Sequence, residues 1–213
     1  TIRRIDPNLQ APYTMQAALS VDRQLPYQSS VSFFFTTSRT LHVGRLRNIN
    51  APICPLQINC EDAPRPDPSL GSVYQYEASG VRNDKRLFVR FQTRFNPRFT
   101  MFANYSIGSS ESNADGFGSF PAYSYDFDGE YGRAGGDIRH QVNIFSNIVA
   151  PWGISLNPMI MFTSGRSFNI TRGVDSNSDG IFNERPTFGE LADACSERGL
   201  TYSFCNIGSS DPN

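Results

Sequence analysis

The chain has no apolar run of about 18 residues, the length a helix needs to cross a bilayer. This excludes a helical membrane protein and nothing more, because a spanning strand needs only about 9–11 residues, half of them apolar. Net charge is nearly absent: 19 basic and 20 acidic side chains leave −1, so no global field draws the chain to nucleic acid. Lysine is confined to Lys85, and every other basic residue is arginine. Histidine is confined to His42 and His140, neither near a cysteine pair. No GxSxG, HExxH, phosphate-loop or dinucleotide-binding pattern occurs, and nothing in the chain reads as an enzyme. The chain opens at Thr1 with no signal peptide in view, which reads as a fragment or a processed product.

Aliphatic residues are sparse and aromatics are not. Hydrophobic residues make up 38%, yet 17 Phe and 9 Tyr lift the aromatic share to 13%. That balance suits many strands joined by long polar loops better than a helical core. The segment RLFVRFQTRFNPRFTMFANYSIG, 86 to 108, sets the pattern. Leu87, Val89, Phe91, Thr93 and Phe95 alternate with Arg86, Phe88, Arg90, Gln92 and Arg94. After Asn-Pro-Arg the alternation resumes with Phe99, Met101, Ala103, Tyr105 and Ile107 on one face. A period of two is the signature of a strand, whose successive side chains point to opposite faces.

The same period predicts strands at about 14–23, 31–43, 73–95, 99–108, 136–149 and 154–163. The strand at 73–95 carries a kink near Gly80 to Asp84, since glycine inside a strand often marks a bulge. Connections alternate in length. Short ones fall at about 24–30, 96–98 and 151–153, and long ones at 44–71, 109–136 and from 165 onward. About three hairpins result, with short turns at one end and long loops at the other. Outer-membrane barrels are built this way, and loops of 25 residues are unusual in compact soluble domains. Tyr27, Phe95, Phe99, Trp152 and Phe162 stand near strand ends, where interfacial aromatic girdles form. The expected fold class is all-β: an antiparallel meander of long hairpins, part of a large transmembrane β-barrel. A soluble β-sandwich, acting as a secreted or surface adhesion or carbohydrate-binding module, fits the same alternation and is the competing reading.

Five phrases carry a resemblance: IDPNLQAPYTMQAALSVDRQLP (5–26), YQYEASGVRNDKRLFVRFQTRF (74–95), ANYSIGSS (103–110), DIRHQVNIFSNIVAPWG (137–153) and SFNITRGVDSNSDGIFNERP (167–186). In this order they resemble the barrel of Oar-like TonB-dependent outer-membrane receptors, over about residues 5–188. The resemblance implies a barrel of about 22 strands in the outer membrane of a Gram-negative bacterium. It implies uptake of a bulky solute, energised by the TonB system through a plug. The regulatory domain, the plug and the final strands of that family are not in this sequence. Residues 1–213 therefore read as a partial barrel domain, a slice from the C-terminal side. The partners implied are outer-membrane lipid, the TonB system and an unidentified solute; nucleic acid is not among them.

Residues 175–184, DSNSDGIFNE, supply the one candidate metal site. Asp175, Asn177, Asp179 and Asn183, with Gly180 at the turn, resemble the first half of a calcium loop. The twelfth position, normally a bidentate Glu, is Pro186, so Glu184 or a carbonyl would have to substitute. The competing reading is an Asx-rich turn satisfying its own backbone amides. No other cofactor is expected. Glu111, Asp115, Asp126, Asp128 and Glu130 make an acidic loop, read as a solvated external loop. Arg86, Arg90, Arg94 and Arg139 make a basic stripe on the polar face. Asp137 and Arg139 share a face and read as an ionic pair. The pairs Cys54/Cys60 and Cys195/Cys205 read as two local disulfides, which imply an oxidising compartment; free loop thiols are the alternative.

Overall fold

In the computed structural model, residues 1–54 and 60–206 are described. The interior of the Cys54–Cys60 loop and the stretch 207–213, both parts of the predicted loops, lie outside the described residues. The strands are β1 (Ile2–Ile5), β2 (Tyr13–Leu25), β3 (Ser29–Asn48), β4 (Val73–Asn96), β5 (Phe99–Ser112), β6 (Gly132–Arg133), β7 (His140–Val149), β8 (Ser155–Leu156) and β9 (Met159–Thr163). They form one sheet in the order β2-β3-β4-β5-β7-β8, with β9 also on β7, β6 on β5 and β1 on β4. Pairing along the main path is antiparallel; only β1 is parallel, against β4. β8 and β9 keep one register on β7 and are separated at Asn157-Pro158, where proline has no N–H to donate. The hairpin turns lie at 26–28, 97–98 and 150–154, and the long connections all leave the other end.

The register aligns the alternation across the sheet. One row runs Leu19, Phe35, Leu87, Ile107 and His140; the next runs Val21, Phe33, Val89, Tyr105, Val142 and Phe162. A third runs Val31, Phe91, Ala103, Ile144 and Ile160. These side chains share one face because each lies an even number of residues from its neighbour along the strand. Among the described residues no second sheet covers that face. Leu19 is 69% exposed, Phe35 43% and Phe162 65%. The sandwich reading needs a partner layer of comparable area, and the described residues contain none. The hydrocarbon that satisfies this face comes from outside the chain.

Apolar burial lies instead at the long-loop end: Leu46, Ala51, Val73, Ala114, Tyr123 and Ala134. There β3 and β4 rise past their neighbours, because β2 stops opposite Leu41 and β5 stops opposite Arg82. β3 continues to Asn48, beyond the predicted end at 43. Gly44 looked like a loop start, but the strand passes through it and the Phe117 ring occupies the space of its missing side chain. The predicted kink near Gly80 is present and is shared by both strands. Register shifts fall between Leu41 and Val43, where His42 takes φ 59°, and between Val43 and Arg45, opposite Gly80 to Glu77. Three elements were not expected: β1 beside the top of β4, the short β6 within the 109–136 connection, and α1 (Phe188–Glu197) in the final loop.

Candidate functional site

Three surfaces follow from this arrangement. The first is the apolar face just described. Near its turn-side border the Tyr27 and Phe95 rings are 5.5 Å apart, and Trp152 projects from the last turn, 92% exposed. Phe162 does not join them. It pairs with Val142, toward the long-loop side, near the Tyr105–His140 contact.

The second surface is the opposite, polar face. Ser20, Asp22, Ser32, Arg86, Arg90, Asn104, Ser106, Gln141 and Asn143 lie on it by register. Arg86 donates to Ser106 Oγ and to the Ile138 carbonyl, and Arg90 lies over the Phe102 ring. Phe34 packs on Phe88 and Phe102 on Phe145, so aromatic rows cross an otherwise polar wall. Arg86 and Arg139 flank Gly108 from its two sides, Arg86 as its register partner on β4 and Arg139 through its carbonyl, and neither forms an ion pair among the described residues. The predicted Asp137–Arg139 pair does not form. Asp137 is buried, accepts from the Ser110 amide and pairs with Arg133 at 2.8 Å. Arg133 lies four residues back, in β6 paired with Glu111, a geometry that strand alternation did not reveal.

The third surface is the cap built by the long loops. A cavity of about 570 Å³ there is lined by Arg45, Arg133, Arg166 and Arg185, against Asp115 and Glu130. Arg45 is fully buried; one Nη donates to the Asn113 carbonyl and its plane lies 4.3 Å from the Phe127 centroid. The acidic loop does not gather into one site. Glu111 accepts from Tyr131, Asp115 from the Gly135 amide, Asp126 from the Asp128 amide, and Glu130 from Ala122 and Arg185.

The 175–184 segment lies at the centre of the cap. Its acceptors first satisfy its own turn: Asp175 takes the Asp179 and Gly180 amides, Asn177 the Asp179 amide, Asp179 the Ile181 amide, and Glu184 the Ser176 and Asn177 amides. Asn177 and Asn183 turn their amide nitrogens outward, to the carbonyls of Ala122, Phe120 and Pro121. Asp175, Asp179 and Glu184 are left converging, with one carboxylate oxygen from each within 4.8 Å of the others. Glu184 joins the two aspartates, and the predicted Asn183 keeps its Oδ1 without a hydrogen-bond partner. Burial holds the Asp179 carboxyl at about 6, with the neighbouring Asp175 and Glu184 charges adding to the rise and the Ile181 amide opposing it. Both cysteine pairs are disulfides, Cys54–Cys60 and Cys195–Cys205, and each staples a cap loop.

A family model described as an outer membrane beta barrel domain matches residues 1–202. The chain belongs to that family. Neither the curated proteins nor the solved structures gave a significant match. Family membership identifies what covers the apolar face: the lipid of a Gram-negative outer membrane. The short turns of an outer-membrane barrel face the periplasm and the long loops face outward. Tyr27, Phe95 and Trp152 accordingly mark the periplasmic interface, and the cap stands outside the cell. The polar face is the inner wall of the barrel. α1 carried a signal of its own in Thr187-Phe-Gly-Glu190. Thr187 and Glu190 form a capping box, and Glu190 also pairs with Arg172.

Proposed function

We propose that this barrel wall belongs to an Oar-like TonB-dependent receptor, which imports a bulky solute bearing acidic groups. The observation that carries the reading is the polar wall: Arg86, Arg90 and Arg139 lie on or beside it without acidic partners among the described residues, below a cap cavity lined by four arginines. In small barrels the interior is filled by side chains, whereas large transporter barrels enclose a plug. The wall here stays half open, with Asn104, Gln141 and Asn143 only partly covered by neighbouring side chains. Five phrases collinear with Oar-like barrels support the same reading. Guanidinium groups suit a carboxylate- or phosphate-bearing solute because each offers paired donors at fixed spacing.

Energised uptake implies that a plug moves against this wall. The test places a cysteine at Asn104 in the complete receptor and labels whole cells with an impermeant maleimide. Labelling that rises in energised cells and falls with a protonophore or on loss of TonB supports the proposal. Labelling that ignores the energy state overturns it.

A further inference from the structure

We infer that Asp175, Asp179 and Glu184 form a binding site for a hard divalent cation, calcium by size, which locks the three long loops together. The three carboxylates are the first observation. Ligands around a calcium ion at about 2.3–2.6 Å stand as much as about 5 Å apart, which accommodates the observed spread of 4.8 Å. Magnesium, at about 2.0–2.1 Å, needs a tighter octahedron.

The second observation concerns atoms left over after every hydrogen bond of the turn is made. Asp179 is 2% exposed and Glu184 4%, yet Asp179 Oδ2 and Glu184 Oε2 have no hydrogen-bond partner. Asn183 Oδ1 is likewise unpartnered. An Asx-rich turn accounts for the satisfied oxygens and leaves these unexplained, because burying an unpaired charged oxygen is costly. Nor does an ion pair compensate them. Among the described residues none of the three acids lies within 4.0 Å of a basic group, and nearby Arg172 is committed to Glu190 and Ser176. A divalent cation supplies the missing positive charge at oxygens that accept no hydrogen bond.

The surroundings give the site a structural consequence. The end of β3 reaches the segment through Asn48, which donates to the Asp179 carbonyl at 2.9 Å, and the first loop through Arg65, which donates to the Ser178 carbonyl at 3.0 Å. The second loop reaches it through Phe120, Pro121 and Ala122. Removing the cation would leave three converging negative charges at a place where all three loops meet. Calcium in the external medium would then govern the order of the cap, whether or not uptake is energised by TonB.

The test uses the complete receptor in detergent micelles, with calcium chloride as the probe, magnesium chloride as the comparison and EDTA as the blank. Calorimetry reads binding and timed proteolysis reads the cap. The expected result is a single saturable calcium site with an apparent Kd on the order of 10⁻⁴–10⁻³ M, as in extracellular calcium modules. Calcium should slow cap cleavage several-fold, and magnesium should do less. Asp179→Asn and Glu184→Gln should each weaken binding at least about tenfold, while Asp126→Asn should bind as the parent does. Asp179→Asn should also be at least as protease-resistant as the parent in EDTA, since it removes a desolvated charge. A parent chain with no saturable calcium response overturns the inference, as does an Asp179→Asn chain that responds like the parent. Should the variants fail to fold, the titration of the parent chain with its EDTA reversal decides the matter.

Discussion

Two glycines test how tightly single residues are fitted. A Cβ on Gly108 would stand 2.5 Å from the Lys85 backbone oxygen and 3.1 Å from Arg86 Cα, so β4 and β5 would have to part. A Cβ on Gly44 would meet only the ring of Phe117, a side chain 44% exposed that can swing away. Gly108→Ala should therefore destabilise the folded chain by about 1–3 kcal/mol, and Gly44→Ala by less. Urea titration in detergent reads the difference, and an equal response from the two variants would contradict the packing argument. Charge is tested at Glu190. Its hydrogen bond and charge contact with Arg172, then the Thr187 amide, hold its carboxyl down to about 2 from an ordinary 4.5. A carboxyl whose folded value is depressed contributes stability that is full above the unfolded value and is lost as pH falls through the folded one. Helix α1 should keep its amide-exchange protection from neutral pH to about 4.5, then lose it toward pH 2. Glu190→Gln should be less protected at neutral pH and show little of this pH dependence.

At the scale of the strand, adjacent residues have opposite prospects. Phe91 and Ala103 face lipid, whereas Asn104, one residue on, faces the inner wall. Phe91→Arg should cost about 2–4 kcal/mol at the bilayer midplane and reduce the assembled fraction in membranes. Asn104→Arg should assemble normally, because the wall is wet and already carries arginines. Heat-modifiable migration of the membrane fraction reads both outcomes. Strands were legible in the sequence for the same reason that these variants should differ: alternation is imposed by two unlike solvents on the two faces. Where that contrast ends, so did legibility. β3 was cut short at Val43 because, past the rim, loops rather than lipid cover it and Gly44 breaks the pattern. β1 has four residues and pairs in parallel with a distant strand, so its local pattern carries no trace of its partner. α1 was missed although its capping box was written in Thr187 and Glu190. The segment at 175–184 was readable as an oxygen-rich turn. That Glu184 would join Asp175 and Asp179 depended on how the turn is held, with the Asn183 amide nitrogen anchored on Phe120 and Pro121, a tertiary contact.

At the scale of the whole molecule, the unpaired edges dominate. Among the described residues β2 pairs only with β3, and β8 and β9 pair only with β7. Backbone groups on such edges meet no water in a bilayer, so a spanning sheet must close. Closure requires further strands at both edges, from beyond these residues or from another chain. The 213-residue chain refolded by itself should then behave in a way that separates its two needs. In buffer, the uncovered face of Leu19, Phe35 and Phe162 should drive aggregation. In detergent that face is covered, and circular dichroism should recover β-structure. The edges would still be open, so size-exclusion chromatography should find oligomers joined edge to edge rather than a monodisperse monomer. Adding the strands that pair with β2 and β9 should convert those oligomers to monomers without altering the detergent requirement. A soluble, cooperative monomer in plain buffer would contradict both steps, because it would require some part of the chain to cover the face that stands open here.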